Sequence, residues 1–178
     1  MIRQLPAVLA LAAASAAHAI GPEDDSPPTP GPTTTTCEAG EVWDTDAAAC
    51  VAIDESRLPE ADLRRTSREM AYAGRSDDAL ALLGRSTAPD ASEVLTLRAF
   101  ANGRAGRLDA ALPLYAEALA ADPDNLLARA YMGLALIAAG RPDDAGRQLS
   151  EIRDRGGAGG WPDRALSRAI AAGAPVGY

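Results

Sequence analysis

The chain has 178 residues, 25 acidic residues against 17 arginines and no lysine, and a formal net charge of −8. So acidic a balance is a poor match for nucleic acid or an anionic membrane, both of which need a basic footprint. Its single histidine, His18, lies in the first nineteen residues. Everything beyond them therefore lacks an imidazole or a lysine for acid–base, triad, Schiff-base or zinc chemistry. An enzyme would be left with carboxylates, hydroxyls and arginines, and few aromatics to stack a sugar. The chain reads as a non-enzyme without cofactor or metal.

Residues 1–19 read as an export signal. Arg3 gives a positive start, Leu5 to Ala14 is apolar, and Ala17-His18-Ala19 is a small-x-small site, so cleavage is expected between Ala19 and Ile20. The apolar run is far shorter than the ~20 residues of a membrane span, and no later stretch is long enough either. The product is expected to be exported and periplasmic or secreted, without membrane insertion. Residues 20–36 carry five prolines, Glu23, Asp24 and Asp25, and end in four threonines. With almost nothing to bury, they predict a disordered, partly polyproline tail. Such a tail is a spacer, a glycan acceptor or an export leader without further role.

Cys37 and Cys50 enclose a loop within residues 37–55 that contains Gly40 and Trp43-Asp44. In an exported chain two cysteines thirteen apart read as a disulfide, with Gly40 supplying a turn and Trp43 docking on the first helices. The Cys-x-x-Gly-x-x-Trp-Asp…Cys arrangement resembles a small loop near the start of many bacterial exported proteins. It is also similar to invertebrate chitin-binding modules, which carry more cysteines. That likeness keeps open a second function, carbohydrate binding through Trp43.

From residue 58 to 155 one phrase is written three times: Gly74-Arg75-Ser76-Asp77-Asp78-Ala79, Gly106-Arg107-Leu108-Asp109-Ala110-Ala111 and Gly140-Arg141-Pro142-Asp143-Asp144-Ala145. The spacings of 32 and 34 residues are those of a helix-turn-helix solenoid. Gly74, Gly106 and Gly140 are placed to end a helix in a left-handed residue. Asp77, Asp109 and Asp143 fall in the first turn of the next, at the positive end of its dipole. Ala79, Ala111 and Ala145 mark a close helix crossing, with Leu83, Tyr115 and Leu149 one turn on. Pro89 and Pro123 are placed to stop the second helices. The acidic pairs are better explained as caps and turns than as calcium ligands, since no glycine-kinked twelve-residue loop surrounds them.

This combination resembles the tetratricopeptide repeat. The resemblance implies an all-α fold: a right-handed αα-solenoid of about three units (60–91, 92–125 and 126–157). After the glycines at 156–160, residues 161–173 read as a capping helix, or else the glycines hinge a free tail. By position in the family, the first helix of each unit lines a concave groove. Here that lining is Arg64, Arg68 and Tyr72, then Thr96, Phe100 and Arg104, then Leu127, Ala130, Leu134 and Ile137. The alternative is that Phe100 and Leu134 are buried against the capping elements. What the resemblance implies is a non-catalytic adaptor that holds an unidentified protein or peptide with an acidic and an apolar end, in the bacterial periplasm or envelope. The family's carboxylate-gripping lysines and asparagines are not present, since Leu97, Leu127 and Tyr131 occupy three of those positions.

Overall fold

In a computed structural model of this chain residues 26–175 are described. The expected export segment and the first six residues of the expected tail lie outside the described residues. Among those described, the order is α1 (Pro32–Thr35), β1 (Glu41–Asp44), β2 (Ala49–Ala52), a 3-10 turn (Ile53–Glu55), α2 (Glu60–Tyr72), α3 (Ser76–Leu83), α4 (Ser92–Arg104), α5 (Leu108–Ala121), α6 (Leu126–Ala138), α7 (Pro142–Ile152) and α8 (Trp161–Ala172).

The repeated phrase makes the same joint three times. Gly74, Gly106 and Gly140 have φ of 82°, 75° and 71°, the left-handed region that a Cβ disfavours. The amide after each glycine then reaches back to a carbonyl of the closing helix. Arg75 donates to Met70 O at 2.8 Å, Arg107 to Asn102 O at 2.9 Å and Arg141 to Leu136 O at 2.8 Å. Carbonyls left without partners at the helix end are satisfied, and the chain reverses in two residues. Ala79, Ala111 and Ala145 are fully buried where the paired helices meet. The pairs α2–α3, α4–α5 and α6–α7 stack in order. Each first helix lies against the next first helix, α2 on α4, α4 on α6 and α6 on α8.

The fold is all-α in its body, as the sequence pattern implies, with one addition and several local departures. The addition is the antiparallel pair β1–β2, which places Trp43 opposite Cys50. The Cys37–Cys50 disulfide closes it, and Asp44 accepts the Asp46 and Ala47 amides at 2.9 and 2.8 Å in its turn. Because successive strand residues face opposite sides, Val42 is the residue fully buried against the helices while Trp43 is only half-buried. The docking expected of Trp43 is thus made by its neighbour.

The tail expectation is corrected for residues 26–36, which lie along α2 with Thr33 buried instead of running free. Pro89 does not end α3. That helix stops at Leu83, six residues earlier, and Glu60 then holds the outgoing chain through the Ser86 hydroxyl (2.5 Å) and the Thr87 amide (3.1 Å). Pro113 stands inside α5 without ending it. It is exposed and removes one hydrogen bond from the outer side of the helix.

The glycine run is a packed corner, not a hinge. α7 widens into a π turn at Arg153–Gly157. A Cβ on buried Gly157 would lie 2.8 Å from Leu126 Cδ1 and 2.9 Å from Ile152 O. Beyond the corner, α8 rests on α6 with Leu166 fully buried over Gly133, where a Cβ would sit 2.5 Å from Leu166 Cδ2. Asp163 fastens its start, accepting from Gly159 N at 2.8 Å, Arg153 Nε at 2.9 Å and Ser167 Oγ at 3.1 Å. The Gly159 amide, then the Arg153 and Ser167 donors, hold the Asp163 carboxyl below its ordinary pKa of 3.8.

Two outcomes follow from this packing. Ala111→Leu has no room at the α4–α5 crossing and should lower stability by roughly 1–3 kcal/mol in urea unfolding. Asp163→Asn should lower Tm at pH 7. A depressed folded pKa contributes stability that is present above 3.8 and lost as pH falls through the lower folded value. The Tm deficit of the variant should therefore shrink on acidification to pH 3, and a deficit that stayed constant would count against this role.

Candidate functional site

The first helices of the stack each bring one aromatic to the same side. Tyr72 ends α2, Phe100 lies within α4, Tyr131 within α6, and Trp161 opens α8. Phe100 stacks on Tyr131 with ring centroids 4.2 Å apart and planes 19° apart. Tyr72 leans on Phe100 at 4.9 Å, and Trp161 meets Tyr131 edge-on at 5.9 Å. Such rings are held by offset and edge geometry as well as by buried area. Phe100 and Tyr131 are fully buried, and Tyr72 and Trp161 partly so.

Polar atoms thread through this cluster. The buried Tyr131 hydroxyl accepts from Arg68 Nε at 3.0 Å and lies 3.1 Å from the Tyr72 hydroxyl. Burial pushes the Tyr131 phenol well above its ordinary pKa, so it stays neutral. The Arg68 guanidinium lies 5.8 Å from the centroid of the Tyr72 ring, a cation–π contact. Arg104 donates to Ala71 O at 3.3 Å and Tyr72 O at 3.2 Å, placing a positive charge on the carbonyl end of α2.

The ten residues expected to line a groove therefore divide. Thr96, Phe100, Ala130, Leu134 and Ile137 are buried, so for them the expectation is corrected. The Thr96 hydroxyl bonds Ser92 O at 2.7 Å within its own helix. Phe100, Ala130, Leu134 and Ile137 join one hydrophobic cluster with Leu166 and Ala169 of α8. Arg64, Arg68, Tyr72, Arg104 and Leu127 remain partly exposed. Arg64, Arg68 and Tyr72 follow one another at four-residue steps along one face of α2, and Arg64 pairs with Glu60 at 3.8 Å.

Two residues that carry much of this end of the molecule were not singled out as site residues. Glu69 accepts from the Gly31 amide at 2.7 Å and from the Thr34 hydroxyl at 2.5 Å, while Arg68 Nη2 donates to Ser26 O at 2.8 Å. Between residues 26–36, which form a strap over α2, and that helix lies a cavity of about 210 Å3 lined by Pro28, Pro30, Thr34, Glu69, Tyr72 and Ala73. Arg75 gathers the carbonyls of Thr33, Glu38 and Glu41 while its Nε holds Asp78 at 2.8 Å. The signal for Arg75 was present in the repeated Gly-Arg phrase. For Glu69 there was none, because its partners lie in a segment that pattern alone reads as a tail.

A family model described as tetratricopeptide repeat matches residues 104–158, the stretch from the end of α4 through α5, α6 and α7 to the π turn. No curated protein and no solved structure matches the chain. Among the described residues no helix is long and apolar enough to cross a membrane.

Because Phe100 is stacked core, Phe100→Ala should cost about 3–5 kcal/mol in chemical unfolding. A side chain on an open groove wall would cost about 0.5 kcal/mol or less, and such a result would return position 100 to the binding surface.

Proposed function

We propose, from the tetratricopeptide repeat that residues 104–158 form, that this chain is a non-catalytic protein-binding module acting after export, as an adaptor in the bacterial periplasm or envelope. Tetratricopeptide repeats in general bind protein partners and perform no catalysis. The export reading is supported by the Cys37–Cys50 disulfide, a bond characteristic of oxidising compartments.

One observation carries the choice of surface. The concave side is filled along α4 and α6, and what stays partly exposed includes Arg64, Arg68 and Tyr72 on α2, with Arg104 at the end of that helix. Three guanidinium groups and a tyrosine suit an extended peptide with acidic side chains. The apolar end expected for that peptide loses its support, because Ala130, Leu134 and Ile137 are buried.

A photoreactive residue at position 64, compared with one at exposed position 147 on α7, tests the reading. A discrete protein captured from position 64 and not from 147 is the expected result. Capture of the same products from both positions, or of none from 64, would remove the α2 strip as the binding surface.

A further inference from the structure

We infer that the outer edge of β2 (Ala49–Ala52) is a docking site where an extended, basic segment of a partner protein adds a third strand to the hairpin. The site is distinct from the α2 strip and does not depend on it.

Backbone pairing decides which edge is open. The Ile53 amide donates to Gly40 O at 3.0 Å, and in an antiparallel ladder such pairs recur at every second residue. Val42–Val51 and Asp44–Ala49 are therefore the pairs joined by hydrogen bonds, while Glu41, Trp43, Cys50 and Ala52 turn their backbone groups outwards. On β1 three of the outward groups are taken: Trp43 N donates to Thr33 Oγ1 at 3.1 Å, Glu41 N donates to Glu38 O at 3.2 Å, and Glu41 O accepts from Arg75 Nη2 at 2.8 Å. On β2 the Ala52 carbonyl opens the 3-10 turn, but Cys50 N–H, Cys50 C=O and Ala52 N–H have no partner among the described residues. None of the four residues of β2 is charged or proline, the means by which an edge is commonly kept from pairing, and all are half-buried or exposed.

Charge selects the occupant. Residues 37–55 contain Glu38, Glu41, Asp44, Asp46, Asp54 and Glu55 and no basic residue. Asp46 stands before the edge and Asp54 and Glu55 after it, all exposed and without a cationic partner among the described residues. Arg75, a cation that touches the hairpin, does so from the β1 side and is paired with Asp78. A second copy on this edge would bring the same carboxylates against these and no cation. A segment with arginine or lysine on both sides of a few small or β-branched residues meets an acid at either end and hydrogen-bonds along the middle. So short an edge makes a modest contact that salt weakens.

Ala52 offers a variant that closes the edge and keeps the fold. Its φ of −60° is the value proline imposes, and its amide takes no part in the ladder with β1. The full chain is titrated with a synthetic peptide of alternating valine and threonine that carries two arginines at each end. Binding should slow hydrogen exchange at the Cys50 and Ala52 amides, which should be fast in the free chain. Ala52→Pro should raise the peptide's Kd roughly tenfold or more, as a main-chain hydrogen bond is lost. The same peptide N-methylated at successive central amides, or with glutamates in place of its arginines, should not bind. Circular dichroism and the unfolding midpoint verify the Ala52→Pro chain; should it not fold, the N-methylated peptide against the unsubstituted chain carries the test. Absence of binding by the arginine peptide overturns the inference, as does binding that survives N-methylation or Ala52→Pro. So do Cys50 and Ala52 amides already protected in the free chain, since the edge is then covered by the chain's own residues or by a second copy. None of these outcomes bears on the α2 strip, which position 64 tests separately.

Discussion

The structure depends on a row of rings. Tyr72, Phe100, Tyr131 and Trp161 come from four successive first helices and touch in sequence, with the closest pair 4.2 Å apart. A short helical stack has little interior, because each helix pair alone cannot bury its apolar stripe. Here the inner curve of the stack is used as interior. Two consequences follow: the helices are locked in register by side chains that cannot interpenetrate, and the space that a peptide would otherwise enter is occupied by the protein's own aromatics. The hydroxyls of Tyr72 and Tyr131 would be costly to bury alone, and Arg68 together with their mutual contact satisfies them.

The ends of the stack show how one repeated residue is turned to different uses. Arg75, Arg107 and Arg141 hold equivalent places after the glycine of each unit. Arg107 bridges to Asp77 of the preceding unit at 3.0 Å and to Asn102 at 2.8 Å. Arg75 has no preceding unit, and its guanidinium instead binds carbonyls of the strap and hairpin together with Asp78. Arg141 stays on the surface with Asp144. An exposed pair of that kind contributes little, whereas a guanidinium holding several carbonyls positions a whole segment. The hairpin, clamped in this way with Val42 buried beneath it, closes one end of the solenoid, and α8 closes the other.

Legibility followed the range of the interactions. The left-handed glycines, the acidic helix starts and the small residues at helix crossings are local devices, each decided within a turn of chain, and their spacing was visible by eye. The end of α3 was less so. Pro89 looked like a stop, but the departure at Leu83 is held by Glu60, more than twenty residues earlier. Pro113 does not break α5, because it falls on the wet side of a helix already anchored by Ala111 and Tyr115. In the hairpin, period-two alternation decided that Val42 and not Trp43 faces inward, and a strand had first to be recognised before that alternation could be applied.

By itself the sequence determined the helical repeat, its period and joints, the disulfide-closed loop before it and a composition with no lysine and one histidine. All of these rest on residue identity or on contacts between neighbours in the chain. Only the tertiary structure decided which face is open. Whether Phe100 lines a groove or fills it depends on where Tyr72, Tyr131 and Trp161 come to rest, 28 to 61 residues away along the chain. Whether residues 26–36 hang free or lie on α2 depends on Glu69, Arg68 and Arg75 meeting carbonyls and amides that carry no side-chain signature. Backbone groups are the same in every residue, so that part of the docking cannot be read from residue identity, and the Thr34 hydroxyl that also meets Glu69 carries no pattern that would have announced it.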